Sequence, residues 1–128
     1  MECKGYKNGC DCEKSEHDGR SEPLWPDFKK RGGLIVAIIQ CSQTKKVLMH
    51  GYLNPESLQK TLETGEAWFW STSRNELWHK GATSGNVMKV KEIWLDCDKD
   101  CVLISVEVLG DGNACHCNCQ SCFSTKLL

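Results

Sequence analysis

Five consecutive residues, Asp96-Cys97-Asp98-Lys99-Asp100, put three carboxylates and a thiol into one short stretch, and Cys115 and Cys122 follow downstream. Carboxylate oxygens are ligands for hard divalent ions such as magnesium, whereas a thiolate suits zinc and needs further sulfur or nitrogen partners. If the stretch runs extended, successive side chains leave on opposite faces, so Asp96, Asp98 and Asp100 line one face and Cys97 the other. That arrangement can serve two different metals, magnesium or another hard divalent ion on the aspartates and zinc on Cys97, with Cys115 and Cys122 the candidate further zinc ligands.

A second stretch, from Ser71 to Gly85, is dense in hydroxyls and carries Arg74, Lys80, Gly81 and Gly85. Arg74 offers a bidentate fork, Lys80 a point charge, and the glycines let backbone amides approach an anion. Phosphate is the natural ligand for such a loop, although it lacks the Gly-Lys-Ser/Thr ending of a P-loop and reads equally as a polar surface loop. Trp70 and Trp78 could stack on a base or simply pack in the core.

The elements that must position these groups belong to one domain. A chain of 128 residues supports a single hydrophobic core, and its net charge of −1, with no basic block, argues against nucleic acid or an anionic membrane as partner. No apolar run resembles a signal peptide or a membrane span, so the expected location is cytoplasmic. Ten cysteines would suit a disulfide scaffold in a secreted protein, but in a reducing compartment and among acidic residues they favour metal binding.

Residues 1–26 are rich in charge, glycine and cysteine and poor in apolar periodicity, which marks an N-terminal arm; Cys3, Cys10, Cys12 and His17 match no zinc spacing there. Residues 27–128 form the expected domain. Leu34 to Gln40 is a β-branched run suited to a buried strand, and Lys46 to Tyr52 a second strand close enough for a hairpin, with His50 structural. Asn54 as N-cap, Pro55 at the first helical position and Gly65 at the end delimit a helix whose Leu58 and Leu62 share one face. Ala67 to Ser71, Met88 to Leu95 and Val102 to Leu109 are further strands. The expectation is an α+β, β-rich single domain with one principal helix.

The segment LWHKGATSGNVMKVKEIWLDCDKD, with ACHCNCQSCF after it and VLMHGYLN and LETGEAWFWSTSR before it, closely resembles phosphoribosyl-AMP cyclohydrolase, an enzyme of histidine biosynthesis. The likeness runs from about Leu34 to Phe123. It implies an intertwined homodimer with zinc held by Cys97 of one subunit and Cys115 and Cys122 of the other, and magnesium held by Asp96, Asp98 and Asp100. The implied reaction is hydrolytic opening of the purine ring of a small nucleotide substrate, phosphoribosyl-AMP, between N1 and C6, giving the formimino aminoimidazole carboxamide ribonucleotide. Zinc with an open fourth position lowers the pKa of bound water towards about 7, though three thiolates make it a weaker Lewis acid than three imidazoles. His116, beside Cys115, is the candidate to move protons, with a structural role as the alternative. Ser73, Arg74, Trp78, Lys80, Thr83 and Ser84 are the candidate substrate contacts.

The chain departs from the family pattern in places. Ala82 stands where glutamate is usual, Met88 where glutamine is common, and Cys117 and Cys119 intrude between the implied zinc ligands, with Cys101 near in sequence. Two alternatives therefore remain open: a paralogue acting on another nucleotide or amidine, and a non-enzymatic zinc-binding protein. The motifs of zinc nucleoside deaminases are absent. No pyrophosphohydrolase domain accompanies the segment, so the preceding step is expected of another protein.

Overall fold

The computed structural model describes residues 24–115 and 120–128. A short 3-10 turn, Phe28–Arg31, precedes strands β1 (Ile35–Cys41) and β2 (Val47–Leu53), helix α1 (Pro55–Thr64), and strands β3 (Trp68–Ser71), β4 (Glu76–His79), β5 (Met88–Leu95) and β6 (Cys101–Val108). Four strands form one sheet in the order β2-β1-β6-β5, and β3 and β4 form a separate hairpin. The β-rich α+β expectation holds, with α1 as its helix.

Alternation builds the main sheet. Ile35, Ala37 and Ile39 of β1 and Val102, Ile104 and Val106 of β6 are buried on one face, while Val36, Ile38 and Leu103 lie half-buried on the other. β1 and β2 pair antiparallel as the hairpin pattern predicts, with Ile35 opposite Leu53. The parallel pairing of β1 with β6, Val36 opposite Cys101, joins segments far apart in sequence. Pairing of that kind leaves no local signature, because each strand is fixed by burial and not by its neighbour in the chain.

Helix α1 begins as its sequence predicts. Asn54 Oδ1 accepts from Ser57 N at 2.8 Å and Ser57 Oγ accepts from Asn54 N at 2.9 Å, a reciprocal capping box, and Gly65 ends the helix at φ 75°. Leu58 is buried with Ser57 and Thr61, and Thr61 Oγ1 accepts from Trp68 N at 3.0 Å, tying the helix to β3. Leu62 behaves differently from Leu58: it is 53% exposed and lines a shallow apolar groove with Leu24 and Trp25.

Two local expectations are corrected. The polar stretch from Ser71 to Gly85 is not all loop, because Glu76–His79 pairs antiparallel with β3, Trp68 opposite His79. Four residues reading Glu-Leu-Trp-His show no alternation, so the strand is hidden in sequence. The aspartate segment is not extended either. It is the turn between β5 and β6, with Asp96 N donating to Cys101 O at 3.0 Å, Lys99 N to Asp96 O at 3.0 Å, and Lys99 at φ 64°. Among the described residues, no helix is long and apolar enough to cross a membrane.

Candidate active site

The turn brings the three aspartates together where strand alternation does not. Ligand atoms of Asp96, Asp98 and Asp100 lie within 4.8 Å of one another, the one such group of three or more metal-ligating side chains among the described residues. Asp96 Oδ1 accepts from Asp100 N at 3.1 Å, which folds the turn around its own carboxylate. The 3-10 turn clasps the segment from outside: Arg31 Nε meets Asp100 Oδ2 at 2.9 Å, Lys30 Nζ donates to Asp98 O at 3.0 Å, and Asp27 N donates to Lys99 O at 2.7 Å. The Arg31 guanidinium holds the Asp100 carboxyl below the ordinary carboxylate range. This donor set of clustered carboxylates fits a hard divalent ion.

At the opposite end of the sheet lies a cavity of about 390 Å³, walled by the free edge of β4, the loop after it and the segment carrying Cys115. Arg74, Trp78, Lys80, Thr83 and Ser84 all line it. Ser73 does not; its hydroxyl lies 3.4 Å from that of Ser71 on the surface. Lys80 is 9% exposed, with Nζ 5.2 Å from the centre of the Trp78 ring. Burial pushes its ammonium pKa down, and the neighbouring Cys122 and Cys115 push it back up. Lys80 is therefore a cation within electrostatic reach of both C-terminal cysteines.

Backbone hydrogen bonds place those cysteines. Cys122 N donates to Leu48 O at 2.7 Å and Ser121 Oγ to Val47 O at 2.8 Å, fixing Cys122 beside the start of β2. Ala114 N donates to Gln120 O at 3.2 Å, which fixes the backbone just before Cys115. Thiols such as those of Cys115 and Cys122 are of the donor type that suits a soft metal such as zinc. Cys97, in the β5–β6 turn, belongs to the aspartate end. So does Cys101, whose thiol is pushed up by burial and by Asp96 and Asp100, an environment that disfavours the thiolate a metal needs. His116, Cys117 and Cys119 lie outside the described residues, as do Cys3, Cys10, Cys12 and His17.

Of the two departures from the family pattern, Ala82 lines the cavity, whereas Met88 is fully buried and paired with Val108. Residues that sequence reading missed include Arg31, whose partner Asp100 is 69 residues away, and Asn86 and Asn113, which line the cavity. His79 is another: it stacks on Trp68 with centroids 4.5 Å apart and meets Glu66 Oε1 at 2.7 Å through Nε2. Only the Thr-Ser-Gly-Asn run around Asn86 carried any signal, as a turn.

A β-rich domain whose cavity gathers an arginine, a lysine, two hydroxyls and a cysteine has the make-up of an enzyme for a small anionic substrate. A family model for phosphoribosyl-AMP cyclohydrolase matches residues 49–124. The chain is 57% identical over 102 residues to a phosphoribosyl-AMP cyclohydrolase of Clostridium botulinum, covering 80% of this chain and 91% of the relative. It is 59% identical over 97 residues to that of Desulfatibacillum aliphaticivorans, covering 76% and 77%, and 58% identical over 97 residues to that of Listeria innocua, covering 76% and 89%. The chain belongs to the phosphoribosyl-AMP cyclohydrolase family and is, with it, a hydrolase.

Proposed function

We propose that the protein opens the purine ring of phosphoribosyl-AMP by hydrolysis of the N1–C6 bond, as a zinc- and magnesium-dependent homodimer in the cytoplasm. The observation that carries the reading is the cavity, in which Arg74, Lys80, Thr83 and Ser84 stand on the same wall system as Cys115. Anion-binding groups and a zinc-ligand candidate thus face one substrate-sized volume.

Cys97, Cys115 and Cys122 would hold zinc, and Asp96, Asp98 and Asp100 magnesium. Zinc bound so would supply the Lewis acidity that makes water a nucleophile near neutrality, and magnesium would anchor phosphate oxygens. The chain's own residues do the rest. Arg74, Thr83 and Ser84 seat the phosphoribosyl groups, with Ser73 an outer candidate on the surface. Trp78 and the free edge of β4 orient the ring. Lys80, buried against Trp78, brings fixed positive charge to the anionic substrate and to the two cysteines. The water oxygen joins C6, the C6–N1 bond breaks, and N1 takes up a proton; His116 moves that proton.

The homodimer rests on two supports. In one chain Cys97 lies at the far end of the sheet from Cys115 and Cys122, so a three-cysteine site draws Cys97 from a second copy. The half-buried face of Val36, Ile38 and Leu103, flanked by Trp94 at 60% exposure, gives that copy an apolar surface. A reducing cytoplasm would keep the cysteines as metal ligands.

Ala82 on the cavity wall supports a second reading, a paralogue with another nucleotide or amidine as substrate. Purified, metal-replete protein incubated with phosphoribosyl-AMP, with ring opening followed by absorbance, separates the two. Turnover supports the assignment, and its absence removes it.

A further inference from the structure

We infer that Asn86 is a positioning residue that locks the phosphate-side wall of the cavity to the segment bearing Cys115, so that substrate seat and metal ligand are held as one unit. The inference rests on the proposed function for the identity of the two partners it joins. Asn86 is 7% exposed and every polar group of its side chain is used. Its Oδ1 accepts from Asp111 N at 2.8 Å and its Nδ2 donates to Asn113 O at 3.2 Å, two residues before Cys115. Its own N–H donates to Ser84 Oγ at 3.2 Å, one of the hydroxyls on the cavity wall. One side chain therefore bridges the loop after β4 and the loop after β6.

Glycines on both sides are shaped to this bridge. A Cβ on Gly81, at φ 90°, would collide with the Asn86–Val87 backbone, and one on Gly110, at φ 69°, with Asn86 Oδ1. The backbone closes the same junction where Leu109 N donates to Val87 O at 2.8 Å. An amide side chain can donate to one carbonyl and accept from one N–H at the same time. A buried amide with both groups satisfied fixes geometry, because each lost bond leaves an orphan polar group.

The test uses the full chain and compares Asn86→Asp with Asn86→Ala at pH 8. Asn86→Asp keeps the acceptor for Asp111 N but replaces the donor to Asn113 with a second oxygen, so it releases the Cys115 side alone. The expected result is zinc affinity, measured by chelator competition, lowered about tenfold with a KM raised about tenfold, as for other groups that support metal ligands. Zinc affinity and KM both unchanged in folded Asn86→Asp, or a fall in melting temperature without either change, would overturn the inference. Amide hydrogen exchange of the wild type gives a second reading that needs no variant. Zinc loading should protect residues 81–86 together with 110–115, and protection confined to 110–115 contradicts the lock. Zinc affinity and exchange are read without turnover, so a wild type that binds zinc but leaves phosphoribosyl-AMP unopened removes the proposed reaction and leaves the lock to stand or fall on these measurements.

Discussion

Cys97 and Cys115 lie beyond opposite ends of strand β6. Cys97 precedes its first residue, Cys101, in the turn from β5, and Cys115 follows its last, Val108, on the wall of the cavity. Seven residue steps of about 3.3 Å separate those strand ends by roughly 23 Å. Cys122, beside Leu48 at the start of β2, shares the Cys115 end, because β2 runs antiparallel to β1 and β1 parallel to β6. A zinc–sulfur bond is about 2.3 Å long, so one chain cannot bring Cys97 to the other two. In the proposed homodimer, a second copy related by a two-fold axis would supply that Cys97.

The Asp96 carboxylate accepts from Asp100 N and the Asp100 carboxylate from Arg31, and Asp96 and Asp98 are both exposed. Asp98→Asn should weaken magnesium binding about tenfold while zinc content and the melting temperature of metal-free protein stay the same. Titration calorimetry with magnesium and a thermal melt check this together.

Arg31 lowers the pKa of Asp100, and the sign of the effect on stability follows. A carboxyl whose folded pKa is depressed contributes stability above its unfolded pKa and loses it as pH falls through the folded value. The ion pair should therefore support the fold in full above the ordinary aspartate range and lose that support progressively as pH falls from there through the depressed folded value. Arg31→Gln should move the onset of acid unfolding to higher pH, read by circular dichroism on metal-free protein. An unchanged acid midpoint would show that the pair contributes nothing.

Lys80 is buried against Trp78 and lies within electrostatic reach of both C-terminal cysteines. Lys80→Gln should lower kcat/KM at least about tenfold, the loss of one positioned charge in a water-poor site. Zinc content measured on the same preparation distinguishes its two tasks: retained zinc assigns Lys80 to the substrate, and a parallel loss assigns it to the cysteines.

The Asn54 capping box satisfies two backbone N–H groups at the N-terminus of α1, those of Asn54 and Ser57. Asn54→Ala should destabilise the protein by about 1 kcal/mol, seen as a lower urea midpoint at constant slope. Activity per folded molecule should not change, since α1 packs on β2 and β3 and lines neither the cavity nor the aspartate turn.

Local signals were legible and remote ones were not. Asn54, Pro55 and Gly65 mark α1 because caps are written in the residues that form them. β5 is found at its true bounds, Met88 to Leu95, because its apolar run is bounded by turn residues. The three aspartates were found by residue type, but the reason for their convergence lies in a turn closed by Lys99 and clasped by Arg31, which spacing cannot reveal. β4 stayed hidden because four residues carry too short a pattern. Asn86 stayed hidden because a buried amide looks like a turn residue until its partners Asp111 and Asn113 are seen. Lys80, Thr83 and Ser84 were chosen for their chemistry, and the cavity gathers them with Cys115.

Subunit complementation tests the central claim, that the zinc site is completed by two chains. Cys97→Ala and Cys115→Ala proteins are each expected to be inactive and zinc-poor. Unfolded together and refolded with zinc, they should form mixed dimers in which one of two sites has all three cysteines, recovering about a quarter of wild-type activity and zinc. No recovery from a refolding procedure that restores the wild type, or full activity in either single variant, would contradict the shared site.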